Sequence, residues 1–288
     1  MVLVILSILL LLFLGFFMEC KRELKYFVVK KKAVGFSKLH MTKDMKAIIL
    51  SDLHGKVYGN NNDILLESIK KENPDVILIS GDMLVGKIGE EHKEAVSFCT
   101  RLANIAPCYY SLGNHEQRMK EDIDIYGDKA FTDYKKKLVD AGINFIENDH
   151  LEVDFNGQTV SIYGLELPMD TYKKFKKIVV TKNDVEKCIG KADESKFNIL
   201  LAHNPSYIDA YKEWGADMIV SGHLHGGLIR LPFIGAVVTP QMHLFPKYSG
   251  EITVEDGKCI IVSKGLGTHT FNIRFLNEAE VISLRIAK

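Results

Sequence analysis

The sequence predicts an α/β fold: a four-layer αββα sandwich of two mixed sheets, preceded by one N-terminal transmembrane helix. Three observations predict it. Short apolar runs alternate with segments of helical spacing from Lys46 onward. That rhythm later gives way to two hairpin patterns, the first turning at Asn156-Gly157. A single apolar run opens the chain. With 288 residues, 47% of them hydrophobic, the chain can bury a sizeable core.

The opening run, "MVLVILSILLLLFLGFFM", is interrupted only by Ser7 and Gly15. It is long enough to cross a bilayer, which takes roughly 17–25 residues. A cleaved signal peptide would show a basic start and small residues before the cut. Here no Lys or Arg precedes the run, and "FFMEC" is bulky and acidic. A lipoprotein box fails because Glu19 precedes Cys20. Residues 1–20 therefore read as an uncleaved anchor and residues 21–288 as the catalytic domain. The basic residues Lys21, Arg22, Lys25 and Lys30 to Lys32 follow at once. They favour a cytoplasmic body on a single-pass membrane protein, and they could rest on anionic headgroups. Lys30 to Lys32 suit an ordinary solvated face equally well. The span is expected to lie outside the sandwich and to be removable without loss of the fold.

"KYFVV" and "AVGFSKL" read as short strands. Then come strand "KAIIL", helix "DILLESIKKE", strand "DVILI", helix "EEHKEAVSFCTRLANI", strand "CYYSL" and helix "DKAFTDYKKKLVDAG". This βαβαβα order gives a sheet covered by helices. The hairpin "LEVDFNGQTVSIYG" follows. Next are strands "FNILLA" and "DMIVS" around a helix near "YIDAYKEWG", a second hairpin "GEITVEDGKCIIVSKG", and a last strand "EVISLRIA". A parallel-rich half followed by an antiparallel-rich half is expected. Lys+Arg 37 balances Asp+Glu 37, so no nucleic-acid-binding signature is present. The five cysteines have no paired spacing, which argues against a disulfide framework or a thiolate zinc site.

Each apolar strand runs into a polar cluster. The clusters are Asp52-Leu53-His54, Gly81-Asp82, Gly113-Asn114-His115-Glu116, His203-Asn204 and Gly222-His223-Leu224-His225. In an α/β sheet, ligands bind beyond the carboxyl ends of strands, so these clusters should share one edge. Carboxylate and imidazole without thiolate suit manganese, iron or zinc. The donors are too many for one ion. Two divalent ions sharing a carboxylate is the economical reading, with Asp82 as the bridge because it stands alone on its loop. Such a pair attracts phosphate esters, clamps the attacking and leaving oxygens, and lowers the pKa of a bridging water.

The ordered blocks D-x-H, G-D, G-N-H-E, H and G-H-x-H resemble the calcineurin-like metallophosphoesterase superfamily, over about Lys46 to Gly267. "HGGLIRLPFIGAVVTP" and "KGLGT" with the later "IRF" resemble its membrane-associated bacterial YkuE-like branch. Leu224 stands where many relatives carry a small polar residue, and Leu228 replaces a common glutamine. The resemblance implies that Asp52, His54 and His225 hold one ion, that Asn114, His203 and His223 hold the second, and that Asp82 bridges. It implies His115 as general acid rather than ligand, with Glu116 able to orient it. Two divalent ions are the implied cofactors, manganese favoured over iron or zinc.

Other residues carry plainer readings. His40, His92, His150, His243 and His269 are read as structural. Arg230 and Arg274 could grip phosphate oxygens as planar forks, although surface or core-edge pairing suits each as well. "LPFIGAVV" is either a hydrophobic lip beside the site or plain core. The expected function is a membrane-anchored hydrolase of a phosphodiester or pyrophosphate bond, with a phosphoester substrate that could be lipid-linked. The alternatives are a phosphomonoesterase on soluble substrates and a non-catalytic scaffold of the same fold. The intact donor set argues against the scaffold.

Overall fold

The computed structural model describes residues 1–288 apart from 90, 91, 177, 228, 232, 269–271 and 288. The structural readings of His269 and Leu228 therefore fall outside the described residues. Helix α1 covers Val2–Lys25. By length and composition it could cross a membrane, and its apolar window, of mean hydropathy 2.8, is not covered by the rest of the chain. It continues past the expected boundary at residue 20, and its last turns bury Cys20 and Glu23. The ring of Phe16 lies 4.8 Å from that of Phe275. The apolar window is thus not buried by the domain, whereas the C-terminal end of the helix packs on it.

In chain order there follow β1 (Phe27–Gly35), β2 (Met45–Leu50), α2 (Asp63–Glu72), β3 (Val76–Ser80), α3 (Lys93–Leu102), β4 (Cys108–Ser111), α4 (Asn114–Glu121), α5 (Ile123–Tyr126), α6 (Ala130–Asp140) and β5 (Ile143–Phe145). The second half holds β6 (Asp149–Phe155), β7 (Gln158–Leu165), α7 (Lys182–Ile189), β8 (Phe197–Ala202), α8 (Ile208–Trp214) and β9 (Met218–Ser221). It closes with β10 (Ile229–Leu231), β11 (Gly235–Val238), β12 (Ile252–Glu255), β13 (Lys258–Val262) and β14 (Ala279–Ala287). One six-stranded sheet has the order β1-β14-β2-β3-β4-β5, the other β12-β13-β9-β8-β7-β6, and β10-β11 form a separate hairpin.

The strand sequences explain the layers. β3 reads VILIS and is buried at every position. Its Val76 and Leu78 join Ile49, Ile199, Leu201, Val220 and Ile261 in a core between the sheets. Its Ile77 and Ile79 face the opposite way, into a core with α2, α3 and α6. In β8, Leu200 and Ala202 likewise turn outward onto α7 and α8. Side chains alternate across a strand, so a strand with no wet face is apolar throughout. Three cores stacked this way make four layers.

Two expectations are revised. "KYFVV" and "AVGFSKL" do not give two strands, because β1 is one nine-residue strand paired along its length with β14. The second half is not antiparallel-rich. It is mixed: β13, β9, β8 and β7 run parallel, whereas β6 with β7, β10 with β11, β12 with β13 and β14 with β2 pair antiparallel.

Leu78 is fully buried between the sheets. Leu78→Ala should cost about 2–5 kcal/mol, the range for leucine deletions in close-packed cores. Urea unfolding should show a lower midpoint at unchanged slope; an unshifted midpoint would refute a close-packed seam at that position.

Candidate metal centre

The polar clusters meet where the parallel strands of both sheets end. Asp52 and His54 follow β2, Asp82 follows β3, and Asn114 opens α4 just beyond β4. His203 follows β8, and His223 and His225 follow β9. The backbone does the aiming. Asp52, His54, Asp82, His223 and His225 have φ of 50°, 49°, 55°, 66° and 51°. Left-handed backbone at a residue with a side chain costs on the order of 1–3 kcal/mol and persists only where surrounding contacts enforce it. In extended chain, residues two apart lie on one face at fixed spacing. The left-handed turns bring each pair around on neighbouring donors instead.

Those enforcing contacts are visible. The amides of Asp52, His54 and Gly55 donate to the carbonyls of Gly81, Asp82 and Met83 at 2.9–3.0 Å, zipping the first two loops together. The His223 amide donates to Asp52 Oδ1 at 3.0 Å, and the His115 amide to Asp82 Oδ1 at 2.8 Å. Two glycines make room for the carboxylates. A Cβ at Gly222 would sit 2.3 Å from Asp52 Oδ2, and one at Gly113 would sit 2.2 Å from Asp82 Oδ1.

Hydrogen bonding also fixes the rings. His203 Nδ1 donates to the Ser80 carbonyl at 2.6 Å, and His225 Nδ1 to the Gly267 carbonyl at 3.2 Å. A carbonyl can only accept, so Nδ1 carries a hydrogen in both rings and Nε2 faces inward, where it can serve as a ligand once it is free of its own proton. His203 Nε2 lies 3.1 Å from Asp82 Oδ2 and 3.7 Å from Asp52 Oδ1. His225 Nε2 lies 3.5 Å from Asp52 Oδ1 and 3.1 Å from His54 Nε2. Asn114 Oδ1 and His203 Nε2 are buried without a hydrogen bond. Converging lone pairs and carboxylates of this kind fit divalent cations. Three groups of donors are close enough to hold one: Asp52, His54 and His225; His54, Asp82 and His115; Asp82, His203 and His223.

The electrostatics follow from burial. Burial and the charge of Asp82 push Asp52 up to about 6, against the pull of His203. Asp82 is equally buried, yet His203, His115 and His54 around it hold it well below the ordinary carboxylate value. Burial opposes charge on His203, but the two carboxylates still raise it to about 10. The Asp82 shift shows the surrounding imidazoles supplying, in part, the positive charge that a cation would supply in full.

His115 lies on the rim of this cluster, its ring 5.0 Å from that of His54 and edge-on. The Gly86 amide donates to its Nδ1 at 3.0 Å. Nδ1 therefore keeps its lone pair, and the hydrogen of the neutral ring sits on Nε2. That arrangement leaves Nε2 of the neutral ring as a hydrogen-bond donor, although His115 also stands in the donor group with His54 and Asp82. Glu116 has a different task from the one expected. Its carboxylate accepts from the amides of Asp82, Met83 and Gly113 at 2.9–3.1 Å and from the Tyr110 hydroxyl at 2.7 Å. It clamps the Asp82 loop instead of orienting His115. Burial and the Asp82 charge push its pKa up to about 7 against these donors.

Neither arginine is placed to grip a phosphate. Arg230 is committed to Glu251 at 2.6 Å and the Gly226 carbonyl at 3.1 Å. Arg274 is 2% exposed and donates to the carbonyls of Lys264, Gly265, Gly267 and Asn277. Gly267 is the residue whose carbonyl fixes the His225 ring, so Arg274 braces the centre from behind. Of the histidines read as structural, His150 stacks on Tyr163, and none appears in the donor groups among the described residues. The cleft over the centre is also lined by Arg118, Tyr172, Lys174 and Gln241, which sequence reasoning missed. Tyr172 meets the His223 ring edge-on at 5.0 Å. Arg118 was within reach, because a helix starting at Asn114 puts it one turn beyond His115.

Comparison with known proteins gives a consistent family. The sequence model for the calcineurin-like phosphoesterases matches residues 45–227. A Helicobacter pylori protein named an uncharacterized metallophosphoesterase is 29% identical over 90% of this chain, and the match spans 63% of that protein's length. A Bacillus subtilis protein named uncharacterized metallophosphoesterase YkuE is 27% identical over 82% of this chain and 77% of its own. The UDP-2,3-diacylglucosamine pyrophosphatase LpxG of Chlamydia muridarum is 24% identical over 87% and 85%. Among solved structures, the phosphopantetheinyl hydrolase PptH of Mycobacterium tuberculosis aligns with a TM-score of 0.48 at 14% identity, covering 75% of this chain and 88% of that one.

Two substitutions separate ligand from acid. Asp82→Asn should lose most bound metal along with activity, because its Oδ2 lies between donors of the two expected sites, 3.9 Å from His54 Nε2 and 3.1 Å from His203 Nε2. His115→Ala should keep its metal and lose roughly 10²–10⁴ in rate, the usual contribution of a positioned acid. Elemental analysis decides: metal lost from His115→Ala, or retained in full by inactive Asp82→Asn, would reverse the assignments.

Proposed function

The chain belongs to the calcineurin-like phosphoesterase family and is a metal-dependent phosphoester hydrolase; from that premise we propose a membrane-anchored enzyme that cleaves a phosphodiester or pyrophosphate bond in a lipid, at the cytoplasmic face. Asp52, His54 and His225 would hold one divalent ion, Asn114, His203 and His223 a second, and Asp82 would serve both. Manganese suits these oxygen and imidazole donors, as do iron and zinc. Bound ions of this kind supply Lewis acidity and water of lowered pKa. The chain's own residues do the rest. Arg118 and Lys174 line the cleft and would take the non-reacting phosphate oxygens. His115 holds a proton at Nε2 and would pass it to the leaving oxygen as the bond to phosphorus breaks. Glu116 keeps the Asp82 loop rigid, so the centre needs no rearrangement during the step.

The observation that carries the lipid reading is a hollow of about 730 Å³ beside the cleft, mostly apolar but with Asp209 and Lys247 also on its wall. Phe175, Ile208, Leu224, Leu244, Pro246 and Tyr248 line it. Leu224 lies between His223 and His225 in the chain, so the loop that carries two donors also contributes to the wall of the hollow. Nearby apolar side chains stay in solvent: Phe175 is 78% and Leu244 68% exposed, and the tip of the β10–β11 hairpin exposes Phe233 and Ile234. A soluble phosphate substrate gives no reason for such a surface, whereas acyl chains do. The name of the Chlamydia relative, a pyrophosphatase of a diacylated sugar nucleotide, supports the same class. The apolar α1 and the basic residues after it support the anchor and its orientation.

Purified full-length enzyme should hydrolyse a vesicle-borne lipid phosphodiester or pyrophosphate in preference to a soluble chromogenic diester. Leu244→Asp should reduce that preference by placing a charge in the hollow. An unchanged ratio, or a stronger rate on a soluble monoester, would favour the phosphomonoesterase reading instead.

The orientation has its own check. Protease added to intact cells should spare the catalytic domain and should degrade it once the cells are opened. Digestion in intact cells would reverse the topology.

A further inference from the structure

We propose that the end of α1 supports the metal centre: Glu23 acting through Asn277, and Leu24 acting through Lys56, position the loops that carry His225 and His54. The proposal rests on the two-ion reading above. It makes Glu23 and Asn277 positioning residues, one step removed from the ligands.

Glu23 is an acid that is 3% exposed, at the end of an otherwise apolar helix. Burying a carboxylate is costly unless its oxygens are bonded. Its Oε2 accepts the backbone N–H of Asn277 at 2.8 Å. The Asn277 side chain then donates from Nδ2 to the His225 carbonyl at 2.6 Å. Its Oδ1 lies where a Cβ at Gly226 would stand, 2.1 Å away. Asn277 is therefore wedged against the His225 loop with no slack. The chain of contacts runs from helix carboxylate to backbone amide, and from side-chain amide to the residue that carries the ligand.

A second hook is independent of the first. The last carbonyls of a helix lack intrahelical partners. That of Leu24 accepts from the Lys56 ammonium. Lys56 follows His54 by two residues, and its amide closes the turn onto the Leu53 carbonyl at 2.9 Å. A third contact, Phe16 on Phe275, grips the segment next to Arg274, whose guanidinium holds the Gly267 carbonyl that orients the His225 ring.

A helix that served only as a tether would need none of these contacts and would join the domain by a slack linker. Here α1 ends at Lys25 and β1 begins at Phe27, with Tyr26 alone between them. The helix end thus braces the donor group Asp52, His54 and His225 and makes no such contact with His203 or Asn114.

The test uses full-length protein in detergent, freed of metal and titrated with Mn²⁺ by calorimetry and electron paramagnetic resonance. Wild type should take up two ions. Glu23→Ala and Asn277→Ala should each weaken one site by roughly tenfold or more, the usual loss when support behind a ligand is removed, and leave the other unchanged. The double variant should lose no more than the worse single, because the two residues act in series. Glu23→Gln, which keeps an acceptor oxygen for the Asn277 amide, should recover most of the affinity. Lys21→Gln, on the exposed face of the same turn, should match wild type. Asn277→Asp, which keeps the size but replaces the donor, provides a second probe if Asn277→Ala does not fold. Wild-type affinity in the variants, additive losses, or equal weakening of both sites would overturn the proposal. A wild-type protein that takes up a single ion would refute the two-ion reading, and the proposal would then stand or fall on whether that one site weakens.

Discussion

Asp52 and Asp82 lie together in a buried seam, at 0% and 2% exposure, and two carboxylates so placed cannot both keep their charge without positive partners. Most of the molecule can be understood as an answer to that constraint. His203 reaches across from the second sheet and comes within 3.1 Å of Asp82. His54 and His225 close on Asp52. The two loops share their amides, and backbone N–H groups of His223 and His115 are spent on the same carboxylates. A third buried acid, Glu116, is tied down by loop amides and the Tyr110 hydroxyl. The left-handed residues are part of the same bargain: their strain is sustained because each lies in a ring of bonds that would all have to break together.

The layered architecture decides where such a seam can exist. Between the sheets the core is built from apolar side chains of both sheets, and charge is confined to its margins. At the carboxyl ends the strands diverge and the chain must turn, and there polar side chains from both sheets can meet. Ser80 exemplifies the change of character. Its residue neighbours are core, yet its hydroxyl donates across the seam to the Val220 carbonyl and its own carbonyl receives His203. The first polar contact between the sheets is thus also the one that sets a donor ring's orientation.

Much of this was legible in the sequence because strands buried on both faces leave an unmistakable pattern. VILIS, FNILLA and MIVS could only be interior strands, and each ended in the polar residues that the structure brings together. What was not legible depended on partners distant in sequence. Nothing in "EVISLRIA" shows that β14 enters the first sheet between β1 and β2, since register is decided by the whole sheet. Glu116 looked like a neighbour for His115 because they are adjacent in the chain. Their opposite directions at the first turn of α4 send one toward the cleft and the other beneath the Asp82 loop. Arg230 and Arg274 offered suitable chemistry, but their carbonyl and carboxylate partners come from loops that no local pattern identifies. The buried Glu23 looked like one more charge after an apolar span, and its amide partner lies 254 residues away.

The place of β14 has a consequence for how the protein is made. Phe27 pairs with Ala279 and Ile49 with Ile282, so the strand that joins β1 to the rest of its sheet comes from the far end of the sequence. A ribosome releases that strand long after β1 to β5 have emerged. Until then β1 has no neighbour, the first sheet has an open edge at β2, and Asn277 has not yet arrived beside Glu23. Synthesis therefore imposes an order: the apolar helix is exposed to its surroundings first, and the catalytic body closes around its end only when the last strand slides in.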